Sequence, residues 1–559
     1  MYYSSSMPTL PWFHKTTIYQ IYPRSFYDAN GDGIGDIPGI IRKLDYIWDL
    51  GFETIWCSPF FKSPQRDFGY DISDYTDIAP EYGTLDDALE LIEQVHRRRM
   101  RIVFDMVLNH TSDQHPWFLE SRSSRDNPMA DWYLWRDQPN NWQSFTRRTG
   151  WHYAPERGQY YWASFLPFQP DLNYRNPAVK QAMFDVVRFW LRKGVDGFRL
   201  DMFNSIYKHA DFPDNPRSRR LLPGDTPLSR FFQQAKYNIN QPESFQFAQE
   251  LRAVCDEFGD RLLLGEVSGP RAMIRQFMGS ESNDGLGLVF DFSMLRFQFT
   301  ADFFRGVIRD LEHHFADPFM PVYVFSNHDS PRSIYRNGND PAKAKLLHLL
   351  QLTVRGVPCM YYGEELGMSD ADLHRASALD PIAHEFDFAP EFVFRRLGIT
   401  INRDVVRTPM QWDSSANAGF STSASTWLPV NPDFSSVNAS VEAVQPDSLL
   451  NMVQTLLRIR SEEPALHSGS LQLLDGLPEG LLAYARKWGG DELTVFMNFT
   501  PEPVRLGPRG GRWVSIYKLS AADDFSEGEI VLSPFGGMIL KRPGPDLERK
   551  LEKARMRTS

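Results

Sequence analysis

Little in this chain of 559 residues lends itself to cross-linking, membrane insertion or holding a polyanion. It has three cysteines, Cys57, Cys255 and Cys359, too few and too scattered for a disulfide framework. No apolar run reaches the roughly 18 residues that a transmembrane helix needs. The opening MYYSSSMPTLPWFHK has neither a basic nor an apolar segment, so no signal peptide is expected. Lys and Arg total 60 against 71 Asp and Glu, a net charge of −11, which leaves no overall positive field for nucleic acid or anionic lipid. The densest basic run, Arg97, Arg98, Arg99 and Arg101, reads as the exposed C-terminal end of a helix, where cations meet the helix dipole. Short repeats and low-complexity tracts are missing too. The expectation is a cytoplasmic protein, monomer or homodimer, with a small-molecule substrate and no nucleic-acid or membrane partner.

Aromatic residues are plentiful at 14%, including 14 Trp. Most must be core, and the excess also suits a protein that packs rings against the C–H faces of sugars.

Strand-like apolar runs alternate with stretches of helical spacing. The strands are read at 17–22, 52–56, 101–107, 197–202, 261–266, 288–292, 322–326 and 359–362, with helices at 38–50, 85–97, 178–192, 244–258, 299–313 and 341–354. Eight strands alternating with helices predict an α/β fold, a parallel (β/α)8 TIM barrel. Two loops are oversized, 109–173 after the third strand and about 365–447 after the eighth. Beyond about 470, short runs with Gly and Pro turns predict a small antiparallel β-sandwich. The division expected is a barrel over 1–108 and 174–470, an inserted domain over 109–173, a C-terminal β domain over 471–545 and a charged tail over 546–559.

Acids end several strands: Asp105 after RIVF, Asp201 after GFRL, Glu266 after RLLLG and Asp329 after VFSNH. Strand ends on one face of a barrel converge, so these carboxyls should meet despite their separation in sequence. Unpaired buried carboxylates are costly, and a group of four needs a reason.

The motifs DMVLNH, GFRLD, GEVSG and SNHD resemble the signature regions of the α-amylase superfamily, glycoside hydrolase family 13. QPDLN, GYDISDY, RTPMQWD and IYQIYPRSFYDANGDGIGD are similar to its oligo-1,6-glucosidase and α-glucosidase branch, and the resemblance spans about 12–540. It implies Asp201 as nucleophile, Glu266 as general acid and base, and Asp329 as the third acid, which holds sugar hydroxyls. It further implies that Arg199 orients Asp201, that His110 and His328 hydrogen-bond the bound ring, and that Asp71 and Arg407 clamp a terminal glucose. Tyr70 would stack under that glucose, and Phe165 would wall the pocket.

Asp28, Asn30, Asp32, Ile34 and Asp36 stand at the odd positions with which an EF-hand loop begins, but position 12 is Gly39 rather than Glu, so a complete EF-hand is not expected. The resemblance implies a structural Ca2+ (or Mg2+) here, with Ile34 giving its carbonyl. The implied activity is that of an exo-acting retaining α-glucosidase on isomaltose- or maltose-type oligosaccharides or sucrose, the alternative being a transglucosidase or trehalose-forming mutase. Met202, after the nucleophile, is larger than the residue usual in this branch, which leaves linkage open. SMLRFQF lacks the Arg-Leu-Asp-Arg pattern of sucrose isomerases, which argues against isomerisation.

Overall fold

Eight short strands close into a barrel in the computed structural model, which describes residues 10–146, 149–220, 224–225, 228–230, 232–385, 400–508 and 510–542. They are β1 (Ile18–Ile21), β2 (Thr54–Cys57), β3 (Arg101–Met106), β4 (Gly197–Leu200), β5 (Leu262–Gly265), β6 (Leu288–Asp291), β7 (Pro321–Val324) and β8 (Val357–Tyr361). Each pairs in parallel with its sequence neighbours, and β8 closes the ring on β1. Strands buried on both faces must be apolar throughout, which is why these runs do not alternate with polar residues.

Alternation survives in where each side chain points. Ile18, Trp56, Val103, Leu262, Leu264, Phe290, Val322 and Val324 pack together inside the barrel. Their neighbours Tyr19, Ile55, Ile102, Phe104, Phe198, Leu200 and Leu263 join the larger core under the helices. Counting by twos along this inner face leads from Val103 to Asp105, from Gly197 to Arg199 and Asp201, and from Leu264 to Glu266. Asp105 is opposite Arg199 in the register of β3 with β4. The barrel interior therefore changes from hydrocarbon to charge at its C-terminal end.

Helix ends follow local rules. Leu85–Arg97 starts in a capping box between Thr84 and Asp87 and closes with His96 and Arg97 in its last turn. One expected helix is two: Ile37–Arg42 and Leu44–Leu50 break at Lys43. The ammonium of Lys43 lies 4.4 Å from the Tyr27 ring and 4.1 Å from Trp412, a tertiary contact that the helical spacing does not encode.

After β3 the chain builds a small antiparallel sheet from Trp135–Arg136, Gln159–Trp162 and Trp151–Ala154. Leu134, Trp142, Trp151 and Trp162 form its core, whereas Trp132 and Trp135 are only half-buried. That core is shared with Phe212 and Tyr237, from the loop after β4. The same loop carries Gly224–Asp225, Leu228–Arg230 and Gln233–Gln234, a strand trio that the sequence reading does not anticipate. C-terminally, a five-stranded and a three-stranded antiparallel sheet enclose Leu481, Ala483, Phe496, Ile530, Leu532, Met538 and Leu540. The expected charged tail lies outside the described residues.

Candidate active site

One guanidinium organises the mouth of the barrel. Arg199 Nη1 donates to both oxygens of Asp105 (3.0 and 3.1 Å) and to Asp201 Oδ1 (2.9 Å), while its Nη2 donates to Glu266 Oε2. Trp56 Nε1 donates to Asp105 from below at 3.2 Å, and its ring lies 5.1 Å from the Arg199 guanidinium. Exposure rises along this group. The Asp105 and Arg199 side chains are 0% and 2% accessible, Asp201 and Glu266 11% and 13%, and Asp329 35%. Asp105 is thus a buried anchor, and the other three carboxyls face the opening.

One cation among three carboxyls cannot hold them all ionised. Burial pushes Asp201 well above the ordinary aspartate range, Arg199 pulls it back, and Glu266, Asp105 and Asp329 push it up again. Burial likewise raises Asp105, against the pull of Arg199.

Asp329 sits in the opposite field. Arg407 Nη2 donates to its Oδ1 at 2.9 Å and Arg403 Nη1 at 3.1 Å, with His328 Nε2 3.1 Å from Oδ2. Despite burial, these three neighbours hold Asp329 well below the usual carboxylate range. Arg403 also donates to Asp67 (2.7 Å) and, through Nε and Nη2, to both oxygens of Asp380 (2.9 and 2.7 Å).

Burial lowers His328 to about 3 and His110 to about 4, so both are neutral near pH 7. Gln20 Nε2 lies 2.8 Å from His328 Nδ1 and can only donate, which places the ring proton on Nε2. That nitrogen is 2.6 Å from Tyr70 Oη, whose own proton points at Asp105 Oδ2, 3.3 Å away. Tyr70 and His328 also stack, 5.5 Å apart and 10° from parallel. His110 Nε2 is 3.1 Å from the Tyr70 carbonyl, and its ring contacts Phe165 at 5.2 Å.

Nearly all the residues singled out from sequence thus gather here. Asp71 and Arg407 are not bonded to each other. Asp71 accepts from Ser63 Oγ (2.9 Å) and the amides of Asp67 (3.0 Å) and Arg66 (3.2 Å), and burial raises it to about 6. Three side chains were missed. Arg403 stands four residues before Arg407 in one short helical turn, a signal that was available. Gln20 lies within the motif IYQIYPRSFYDANGDGIGD but is uncharged and was not singled out there. Tyr22 stacks between His328 (6.0 Å) and Trp427 (6.2 Å), and its buried hydroxyl has no hydrogen-bond partner among the described residues.

The loop Asp28–Asp36 is tied by its own side chains. Asp28 accepts from the amides of Asn30, Gly31 and Gly33 and from Ser421 Oγ (2.5 Å), Asn30 Oδ1 from Asp32 N, Asp32 from Ile34 N, and Asp36 from Ala29 N and Gly39 N. Burial raises Asp36, and Asp28 adds to this. Among the described residues no three His, Cys, Asp or Glu side chains form a metal cluster. The loop offers instead a mixed set of carboxylate, carboxamide and carbonyl oxygens, the donor chemistry of a hard divalent cation.

Comparison with known proteins follows the same lines. Residues 20–469 match the family model described as the alpha amylase catalytic domain. The chain is 40% identical over 514 residues to a probable alpha-glucosidase of Rhizobium meliloti (strain 1021), covering 89% of this chain and 90% of that protein. It is 36% identical over 521 residues to an oligo-1,6-glucosidase of Parageobacillus thermoglucosidasius, with coverage of 88% and 90%. Among solved structures, the alpha-glucosyl transfer enzyme XgtA superposes with a TM-score of 0.88 at 38% identity, covering 95% of this chain and all of that one (100%). The trehalulose synthase MutB from Pseudomonas mesoacidophila MX-45 gives 0.86 at 33% identity, covering 96% of this chain and 100% of that one.

Proposed function

This chain belongs to the alpha-amylase catalytic-domain family and is a glycoside hydrolase of its oligo-1,6-glucosidase and α-glucosidase branch, and on that premise we propose how its site works. The enzyme is an exo-acting, retaining α-glucosidase that removes terminal glucose from short α-glucosides. The observation that carries the mechanism is the single Arg199 guanidinium shared by Asp201 on one terminal nitrogen and Glu266 on the other. Carboxyls on adjacent nitrogens of one planar group suit the separation of about 5–5.5 Å of a double displacement, not the roughly 6.5–9.5 Å that leaves room for an attacking water.

Asp201 attacks the anomeric carbon while the glycosidic oxygen takes the proton of Glu266 and leaves. Glu266, now a carboxylate, removes a proton from water, which attacks the same carbon and frees Asp201. Positive charge developing on the sugar ring favours ionised Asp201, and the departing oxygen takes its proton from Glu266. Asp329, kept anionic by Arg403 and Arg407, accepts hydrogen bonds from ring hydroxyls and stabilises the cationic transition state. Asp71, Arg407, His110, His328 and Tyr70 enclose the terminal glucose, and Phe165 stands at its rim.

The loop at Asp28, Asn30, Asp32, Ile34 and Asp36 would hold Ca2+ or Mg2+, which would brace the turn that carries β1 towards Gly39, away from the chemistry. Cys57, Cys255 and Cys359 are buried free thiols, which supports a reducing, cytoplasmic setting. Among the described residues no helix is long and apolar enough to cross a membrane.

The test is time-resolved proton NMR of the protein with isomaltose, maltose, sucrose and trehalose. α-Glucose should appear before mutarotation, and the order of depletion should give the linkage preference. β-Glucose appearing first would overturn the retaining mechanism, and new disaccharides in place of glucose would move the enzyme to the transglucosidase reading.

A further inference from the structure

A narrow pocket opens beside the carboxyl group, between the inserted sheet and the loop after β4. Met202 forms part of its wall. The Met202 amide donates to Glu266 Oε2 at 3.3 Å, so this pocket adjoins the general acid. Met202 also has a left-handed backbone (φ 37°), which turns the chain sharply after Asp201 and carries it to the pocket wall. Phe165 and Phe145, 5.8 Å apart, line another wall, and Gln143, Gln233 and Asn238 supply carboxamides.

Gln143 is unlike its neighbours. Its backbone is fixed: its amide donates to Gln233 Oε1 (3.2 Å), and Gln233 Nε2 donates to the Asn141 carbonyl (2.7 Å). Asn141 and Asn215 exchange two further bonds of 2.8 and 2.9 Å, which join the inserted segment to the loop after β4. Yet the side-chain oxygen of Gln143 is buried and has no hydrogen-bond partner among the described residues. An orphaned acceptor in a polar pocket is a destabilising feature unless something else donates to it.

We propose that Gln143 is a specificity-determining residue that accepts a hydrogen bond from a hydroxyl of the leaving group, so that the enzyme prefers glucosides whose aglycone is itself a sugar. The inference rests on the α-glucosidase reading and adds the chemistry of the departing half. A sugar leaving group carries hydroxyl donors for such an acceptor, whereas a nitrophenyl group beside Phe145, Phe165 and Met202 carries none and leaves the oxygen unpaired. Two segments far apart in sequence build this preference, and neither carries a motif for it.

The experiment compares kcat/KM for isomaltose and maltose with that for 4-nitrophenyl α-glucoside in wild type, Gln143→Leu and Gln143→Glu. Gln143→Leu should lower the value for the preferred disaccharide about tenfold and leave the aryl glucoside within about twofold. Retained aryl-glucoside turnover also reports that the variant folds. Gln143→Glu keeps an acceptor and should retain most of the disaccharide activity. An equal loss on both substrate types, or no loss on either, overturns the proposal while the α-glucosidase reading stands. Wild-type protein inert towards all of these substrates overturns both.

Discussion

Replacing Arg403 with Met tests whether the site is held by charge rather than by packing. Arg403 is 8% exposed and donates to Asp67, Asp329 and Asp380. Its removal leaves Asp67 and Asp380 buried without their guanidinium, and Asp329, partly open to solvent, with Arg407 as the one guanidinium still bonded to it. Breaking a buried pair by removing one partner typically destabilises by about 3–5 kcal/mol. Unfolding entropy is about 2.1 cal/mol/K per residue, which for this chain makes the loss about 3–4 °C in Tm.

The pH dependence distinguishes this from a simple packing defect. In the wild type Asp329 and Asp380 lie below the ordinary carboxylate value. Their stabilisation is therefore present above about pH 3.9 and is lost as pH falls through the folded values. Without Arg403 both folded values move up, so less of that stabilisation is present at pH 7, and the deficit relative to wild type shrinks as the groups are protonated on acidification. The Tm gap between Arg403→Met and wild type should thus be widest near pH 7 and narrow towards pH 4, with Arg403→Lys intermediate because it keeps the charge but not the planar fork. Scanning calorimetry across that range is the assay. A variant that melts with wild type at pH 7, or a gap that does not narrow on acidification, would refute the reasoning.

Other expectations are equally direct. Asp201→Asn should lower turnover by several orders of magnitude while still melting no lower than wild type, and near-wild-type rates would remove Asp201 from the nucleophile's role. Asp71 has a folded pKa raised to about 6, so its ionisation destabilises the fold above that pH; Asp71→Asn should melt above wild type at pH 7, match it below about pH 4, and lose activity if Asp71 binds substrate. Dialysis against EDTA should lower Tm and added Ca2+ or Mg2+ restore it, whereas Asp32→Ala should melt the same with or without chelator; an unresponsive wild type would exclude the metal.

The alternation of strands and helices was enough to read the barrel, because a parallel sheet buried on both faces leaves near-continuous apolar runs that side-chain exposure cannot mask. Their positions at strand ends also put Asp105, Asp201, Glu266 and Asp329 on one face of the barrel from sequence alone. Local sequence could not decide how the first three divide the Arg199 guanidinium, because that depends on strand register across the closed ring. Nor could it show that Arg403 joins Arg407 on Asp329, that Lys43 interrupts a helix to meet two aromatic rings, or that Phe212 and Tyr237 complete a core begun at Trp142, 70 and 95 residues earlier. Each of these is a contact between segments distant in the chain. Their energies exist only once the barrel has brought the segments together, so the sequence by itself determined the elements and the reacting groups, and tertiary structure decided which charges and which pocket walls those groups face.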